Sequence, residues 1–233
     1  MNTLVRLFAL TAIVVTMAHP DIQVSAVKGD VYVRHNVQED WVKVAVGDVL
    51  KPDDSIMSGS KSTATIMIDN NKKFTLPELV IIDCADLRVL TNTDLLLKLA
   101  MEQVRLLPNG GKGKEFQIPR TTIIHGESKE SSMSRASPSD PSAGSLQLNG
   151  TRVLFDQGYF ATCVLKTKHV LRLYPGVTRK TEARLLVATA LENLKLNEEA
   201  LNEYHTLKSE SLSAGERMLV EKKVAALVKK RKE

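Results

Sequence analysis

The sequence predicts an α+β multidomain protein, with an N-terminal antiparallel all-β sandwich or rolled sheet followed by a C-terminal α-helical hairpin repeat. Three observations carry this. Short apolar/polar alternation fills Ile22 to about Val89, the apolar period becomes helical at Thr91, and helical spacing returns after a Ser- and Pro-rich break from Gly126 to Gly144. The chain has 233 residues, 43% of them hydrophobic, which suffices for one large domain or two modest ones with a linker.

In the first half, "IQVSAV" places Ile22, Val24 and Ala26 on one face, and "DVYVRH" places Val31 and Val33 opposite Tyr32 and Arg34. "WVKVAV" offers Val42, Val44 and Val46. "STATIMID" sends Ala64, Ile66 and Ile68 inward, with Thr63, Thr65 and Met67 outward, and "KKFTL" and "LVIIDC" follow. Gly29-Asp30, Gly47-Asp48, Pro52-Asp53-Asp54, Ser58-Gly59 and Asp69-Asn70-Asn71 separate these runs, which is the spacing of an antiparallel sheet with one wet face.

The stretch "VGDVLKPDDSIMSG", Val46 to Gly59, raises the one prospect of chemistry here, because it carries three aspartates. Asp48, Asp53 and Asp54 each stand beside Gly or Pro, where a short acceptor side chain closes a turn on its own backbone. Their spacing is not that of a Ca²⁺ loop, and no histidine lies within the segment. They are read as turn residues.

The β segment resembles the FecR-like domain of bacterial exported proteins. The residues that carry the resemblance are Gly29-Asp30-Val31-Tyr32-Val33, Trp41, Gly47 with Leu50, Asp53-Asp54 with Ile56, Ser58-Gly59, Ser62 with Ala64, and Asp69-Asn70. They follow the family's order from about Val24 to Asp83, with Asp53 where the family has Gly and Asp69-Asn70 where it has an Asp-Gly turn. The resemblance implies a β domain acting in the periplasm or at the envelope, and it brings no catalytic residues.

From Thr91 the pattern "TNTDLLLKLAMEQVRLLP" predicts a helix capped by Thr93 and stopped by Pro108, packed on the open face or end of the β domain. "NGGKGKEFQIP" lacks the hydroxyl and the strand-to-helix context of a phosphate loop, and "FQIPRTTIIH" is a candidate last strand or pair of strands. Gly126–Gly144 is too polar to offset its ordering entropy and is read as a disordered linker.

Beyond it, "LFDQGYFATCVLKTKHVLRLYPG" and "EARLLVATALENLKLNEEALNEYHTLKSE" resemble successive tetratricopeptide units. Gly158, Phe160, Cys163, Val170 and Pro175 occupy the motif positions of the first, and Ala188, Leu191, Ala200, Tyr204 and Leu207 those of the second. Cys163 and Ala200 are 37 residues apart, against a usual period of about 34. Thr167 stands where an aromatic is expected. Ser213 to Glu216 has capping-box spacing, opening a terminal helix whose inner face is Val220, Val224 and Leu227.

Charge and cysteine usage narrow the function. The net charge is +5, of which Arg6 supplies +1 and the run Glu216–Glu233 supplies +4, so His19 to Gly215 is neutral. A basic excess confined to one helix end is not a nucleic-acid groove. "MNTLVRLFALTAIVVTMAHP" has the layout of a secretory signal peptide, with Thr16-Met17-Ala18 as cleavage site. Cys84 and Cys163 lie in different apolar segments and are expected to be buried free thiols. His19, His35, His125, His169 and His205 show no metal-ligand spacing, and Trp41 is read as a half-buried strand aromatic.

The expected organisation is therefore a signal peptide over 1–18, a FecR-like β domain with its following helix over 21–107, a flexible linker over 108–145 and a tetratricopeptide-like segment over 146–233. The chain is read as an exported, non-enzymatic binding or scaffold protein of the bacterial envelope, periplasmic or secreted, whose partner is another envelope protein or peptide. Nucleic acid is not expected as a partner, and a membrane only if the signal segment is retained as an anchor. No catalytic, cofactor-binding or metal-ligating residue is assigned. The alternatives are a periplasmic sensor or regulator of FecR type, a polysaccharide- or peptidoglycan-binding protein, and an exported hydrolase.

Overall fold

A computed structural model describes residues 22–36, 38, 40–69, 71–106 and 141–231. The expected signal peptide, the segment "NGGKGKEFQIP", the candidate strand Phe116–His125 and most of the expected linker lie outside the described residues. The architecture is α+β, as the alternation and its change of period predict.

Among the described residues, eight strands form two four-stranded antiparallel sheets. They are β1 (Ile22–Lys28), β2 (Val31–Arg34), β3 (Val42–Lys43), β4 (Val49–Leu50), β5 (Ser55–Ser58), β6 (Thr63–Ile68), β7 (Lys72–Leu76) and β8 (Val80–Asp83). One sheet runs β4-β1-β6-β7 and the other β3-β2-β5-β8. Their inner faces bury Ile22, Val24, Ile66, Phe74 and Leu76 from the first and Val31, Val33, Ile56 and Ile82 from the second.

The predicted alternation is met in β2 and β6 and broken in two places. Between Val24 and Ala26 the pairing of β1 with β6 shifts register, so Ala26 turns outward and Val27 packs partly against the core. A bulge inserts one residue and so reverses every face after it. The second break is "WVKVAV". Only Val42–Lys43 forms a strand, Val44 is buried, and Val42 and Val46 are 52% and 63% exposed. The chain leaves the sheet there for the turn that Asp48 closes.

A 3-10 turn over Cys84–Leu87 leads to α1 (Asn92–Leu106). The cap is Thr91 rather than Thr93. Its hydroxyl accepts from the Asp94 backbone N–H at 3.1 Å, and the Asp94 carboxylate accepts from the Thr91 N–H at 3.1 Å. The reciprocal pair needs an acidic residue three positions on, which Thr93 lacks. Instead of the β domain, α1 packs chiefly on the second helix of the repeat segment.

The helical segment comprises α2 (Pro141–Asp156), α3 (Phe160–Leu173), α4 (Lys180–Asn193), α5 (Asn197–Lys208) and α6 (Ala214–Lys230). Here α2 begins inside the expected linker, since Pro141 supplies a preset φ at a helix start where no N–H is needed. Each helix packs on the next, and α2 also touches α4. Cys163, Val170, Ala188, Leu191, Ala200, Tyr204 and Leu207 are buried, whereas Phe160 is half-buried and Pro175 exposed. Val220, Val224 and Leu227 form the inner face of α6, and its Ser213–Glu216 capping box is complete.

The two halves share one continuous buried core. Along β8, α2 approaches so closely that a Cβ on Gly150 would lie 2.2 Å from the Ile81 carbonyl oxygen. This explains why Val80, Ile81 and Ile82 are consecutive buried residues, with the sandwich on one side and a helix on the other. At the last strand of the other sheet, the Gln157 side-chain amide accepts from Thr75 N–H at 3.0 Å and donates to Thr75 C=O at 2.7 Å. It supplies the pair of hydrogen bonds that a further strand would have made. Among the described residues no helix is long and apolar enough to cross a membrane.

Candidate functional site

The acidic stretch behaves as backbone punctuation. Gly47 has φ +98°, a conformation that favours glycine. The Asp48 carboxylate accepts from the Ala45 N–H at 2.8 Å, and the Asp54 carboxylate from the Lys51 N–H at 2.8 Å. Asp53 is exposed, whereas Asp54 is buried, with its second oxygen 3.1 Å from His35 Nδ1 in a geometry that is not a hydrogen bond. The three aspartates thus do not converge on one point, and no group of three or more His, Cys, Asp or Glu among the described residues is placed to hold a metal ion.

Charged side chains converge elsewhere. The 3-10 turn, α1 and α3 enclose a cavity of about 370 Å³. On its inner side Lys166 of α3, only 8% exposed, contacts Asp83 at the end of β8 and lies 3.3 Å from Asp86 of the 3-10 turn. Asp83 also accepts from the Ser55 hydroxyl at 2.6 Å, and Ser55 in turn lies 3.5 Å from the Arg34 guanidinium, which stacks 5.1 Å from the Trp41 ring centre. A polar chain thus crosses from the second sheet to the helices.

Burial sets the electrostatics of this triad. It would push the Asp83 carboxyl up, but the Lys166 charge, with hydrogen bonds from Lys166 and Ser55, outweighs it and holds that group below the usual carboxylate range. At Asp86 burial wins and the Asp83 charge reinforces it, so this carboxyl is raised despite Lys166. Burial also opposes the Lys166 ammonium, yet Asp86 and Asp83 together raise it above its ordinary value. The lysine is held charged.

The outer side of the cavity carries Leu90, Leu165 and Met101 with Arg88, Lys98, Glu102 and His169. Glu102 pairs with Arg172 at 3.1 Å, and Arg172 donates to His169 Nδ1 at 2.9 Å. Burial, then the Lys166 and Arg172 charges, lowers the His169 pKa. Since a guanidinium can only donate, Nδ1 accepts and the imidazole carries its proton on Nε2.

Both cysteines are free and buried. Burial pushes the Cys163 thiol up to about 12 and the Cys84 thiol higher still, so neither is a nucleophile at neutral pH. Sequence reasoning found no metal-ligand spacing at His169 and passed over Asp83, Asp86 and Lys166. The available signal was Lys166 itself, a cation on the helix face that also holds Cys163 and Val170, where an apolar residue is expected. No protein-family model, curated protein or solved structure matches the chain, so the FecR-like and tetratricopeptide resemblances rest on the residues that carry them.

Proposed function

We propose that this is an exported, non-enzymatic binding or scaffold protein of the bacterial envelope, engaging another envelope protein or peptide through its helical repeats and its FecR-like β domain. The observation that carries the reading is the helical array, in which five helices each pack on the next while the first is seated on the sandwich. Such an array presents an extended surface whose shape follows from the stacking. It ends on α6 with Met218 70% and Leu219 46% exposed, where a helix closing an array would ordinarily turn polar residues outward. The chemistry of the cavity agrees with recognition rather than turnover, because its lysine is committed to two carboxylates.

The test uses the full mature chain, because the shared core makes separate halves unsuitable. Affinity capture from envelope extract is compared for the parent, M218E/L219E on α6 and V46E/V49E, which alters the β3–β4 connection and β4 itself. A partner lost only with the α6 changes supports the array as the binding surface, and one lost only with the valine changes moves binding to the β domain. Identical partners in all three, or none in any, overturns the proposal.

A further inference from the structure

The cavity between the 3-10 turn, α1 and α3 is charged unevenly once its internal pairs are counted. Asp83 and Asp86 share the single Lys166 cation, and Glu102 pairs with Arg172. Arg88 and Lys98 make no ion pair with a described residue. Asp94 is the acid they influence, but its carboxylate is held by the Thr91 N–H and hydroxyl, at 3.1 and 2.7 Å. Among the described residues, two cations therefore line the cavity without an ion-pair partner, on a wall that includes Leu90, Leu165 and Met101. At about 370 Å³ it falls within the size range of small-molecule sites.

We propose that this cavity binds a small amphiphilic anion, a carboxylate or phosphate monoester on a short apolar chain. Arg88 and Lys98 meet the charged head, and Leu90, Leu165 and Met101 line the tail. His169, whose Nε2 carries the ring proton, adds a neutral donor on the same wall. An ammonium head is disfavoured beside Arg88 and Lys98, because the two like charges repel it there. The occupant is a free molecule rather than a bilayer lipid. The site requires nothing of the protein partner proposed above and goes beyond that reading.

Calorimetric titration of the full chain with octanoate tests it, with octylamine and phosphatidylglycerol vesicles as the other arms. Saturable octanoate binding is expected, with none for octylamine. In R88Q/K98Q, where Arg88 is exposed and Lys98 half-buried, octanoate affinity should fall about tenfold or more, the worth of one charge-assisted hydrogen bond. Circular dichroism verifies that variant's fold, and the single substitutions R88Q and K98Q replace it if it fails to fold. His169 ring resonances should shift on titration. Equal binding of octylamine, unchanged affinity in the variants, or binding to vesicles without binding to octanoate overturns the proposal.

Discussion

Replacing Lys166 with methionine removes the cation of the triad while keeping most of the side-chain volume. Asp83 and Asp86 then face each other without compensation. Breaking a buried pair by deleting one partner costs about 3–5 kcal/mol. The Asp83 side chain remains 38% exposed on the cavity side, so water softens the loss and the lower end, about 3 kcal/mol at pH 7, is expected. Urea denaturation followed by helical circular dichroism measures it. Asp86→Asn should change stability by less than about 1 kcal/mol, because the carboxylate it removes is one that burial disfavours. The triple variant D83N/D86N/K166M should recover most of the K166M loss, as no orphaned charge remains.

The pH dependence follows from the signs. Asp83, with its folded pKa lowered, contributes stability that is present above its unfolded value and lost as pH falls through the folded value. Asp86, with its folded pKa raised, contributes stability that is complete below its unfolded value and lost as pH rises through the folded one. Lys166 adds stability at neutral pH that disappears as pH climbs through its raised value. The K166M deficit should therefore shrink on acidification, as both carboxyls take up protons. A neutral-pH deficit under about 1 kcal/mol, or no recovery in the triple variant, refutes this account of the triad.

Three further outcomes are expected. Gly150→Ala should destabilise by roughly 1–3 kcal/mol, because its new methyl meets the Ile81 carbonyl and forces α2 off β8; a shifted urea midpoint with unchanged slope shows it. Gln157→Ala should cost about 1 kcal/mol and speed amide exchange at Thr75, since water replaces both lost hydrogen bonds. Cys84 and Cys163 should resist alkylation at neutral pH in the native protein and react fully in denaturant, as mass spectrometry would report.

Much of the fold was legible because local pattern and local cause coincide. In β6, Ala64, Ile66 and Ile68 turn inward because nothing interrupts the pleat. The small and bulky positions of α3 to α5 were readable for the same reason, as was the Ser213–Glu216 cap. Illegible features have causes outside the window of pattern. The bulge after Val24 is a matter of pairing with β6, and Val46 is exposed because a turn captures it. The candidate site is the extreme case. Lys166 meets Asp83 across 83 residues of sequence, and only the docking of α3 on the end of β8 makes them neighbours. One misplaced cation on an apolar helix face was the sole hint.

Gln157 has a consequence for how the chain is made. A ribosome releases β7 and β8 well before α2, so for a time the last strand of each sheet waits without its cover. During that interval the bare N–H and C=O groups of Thr75 are a ready template for another copy of the same nascent protein. Arrival of the helices ends the exposure, which makes their timely synthesis a safeguard against self-association.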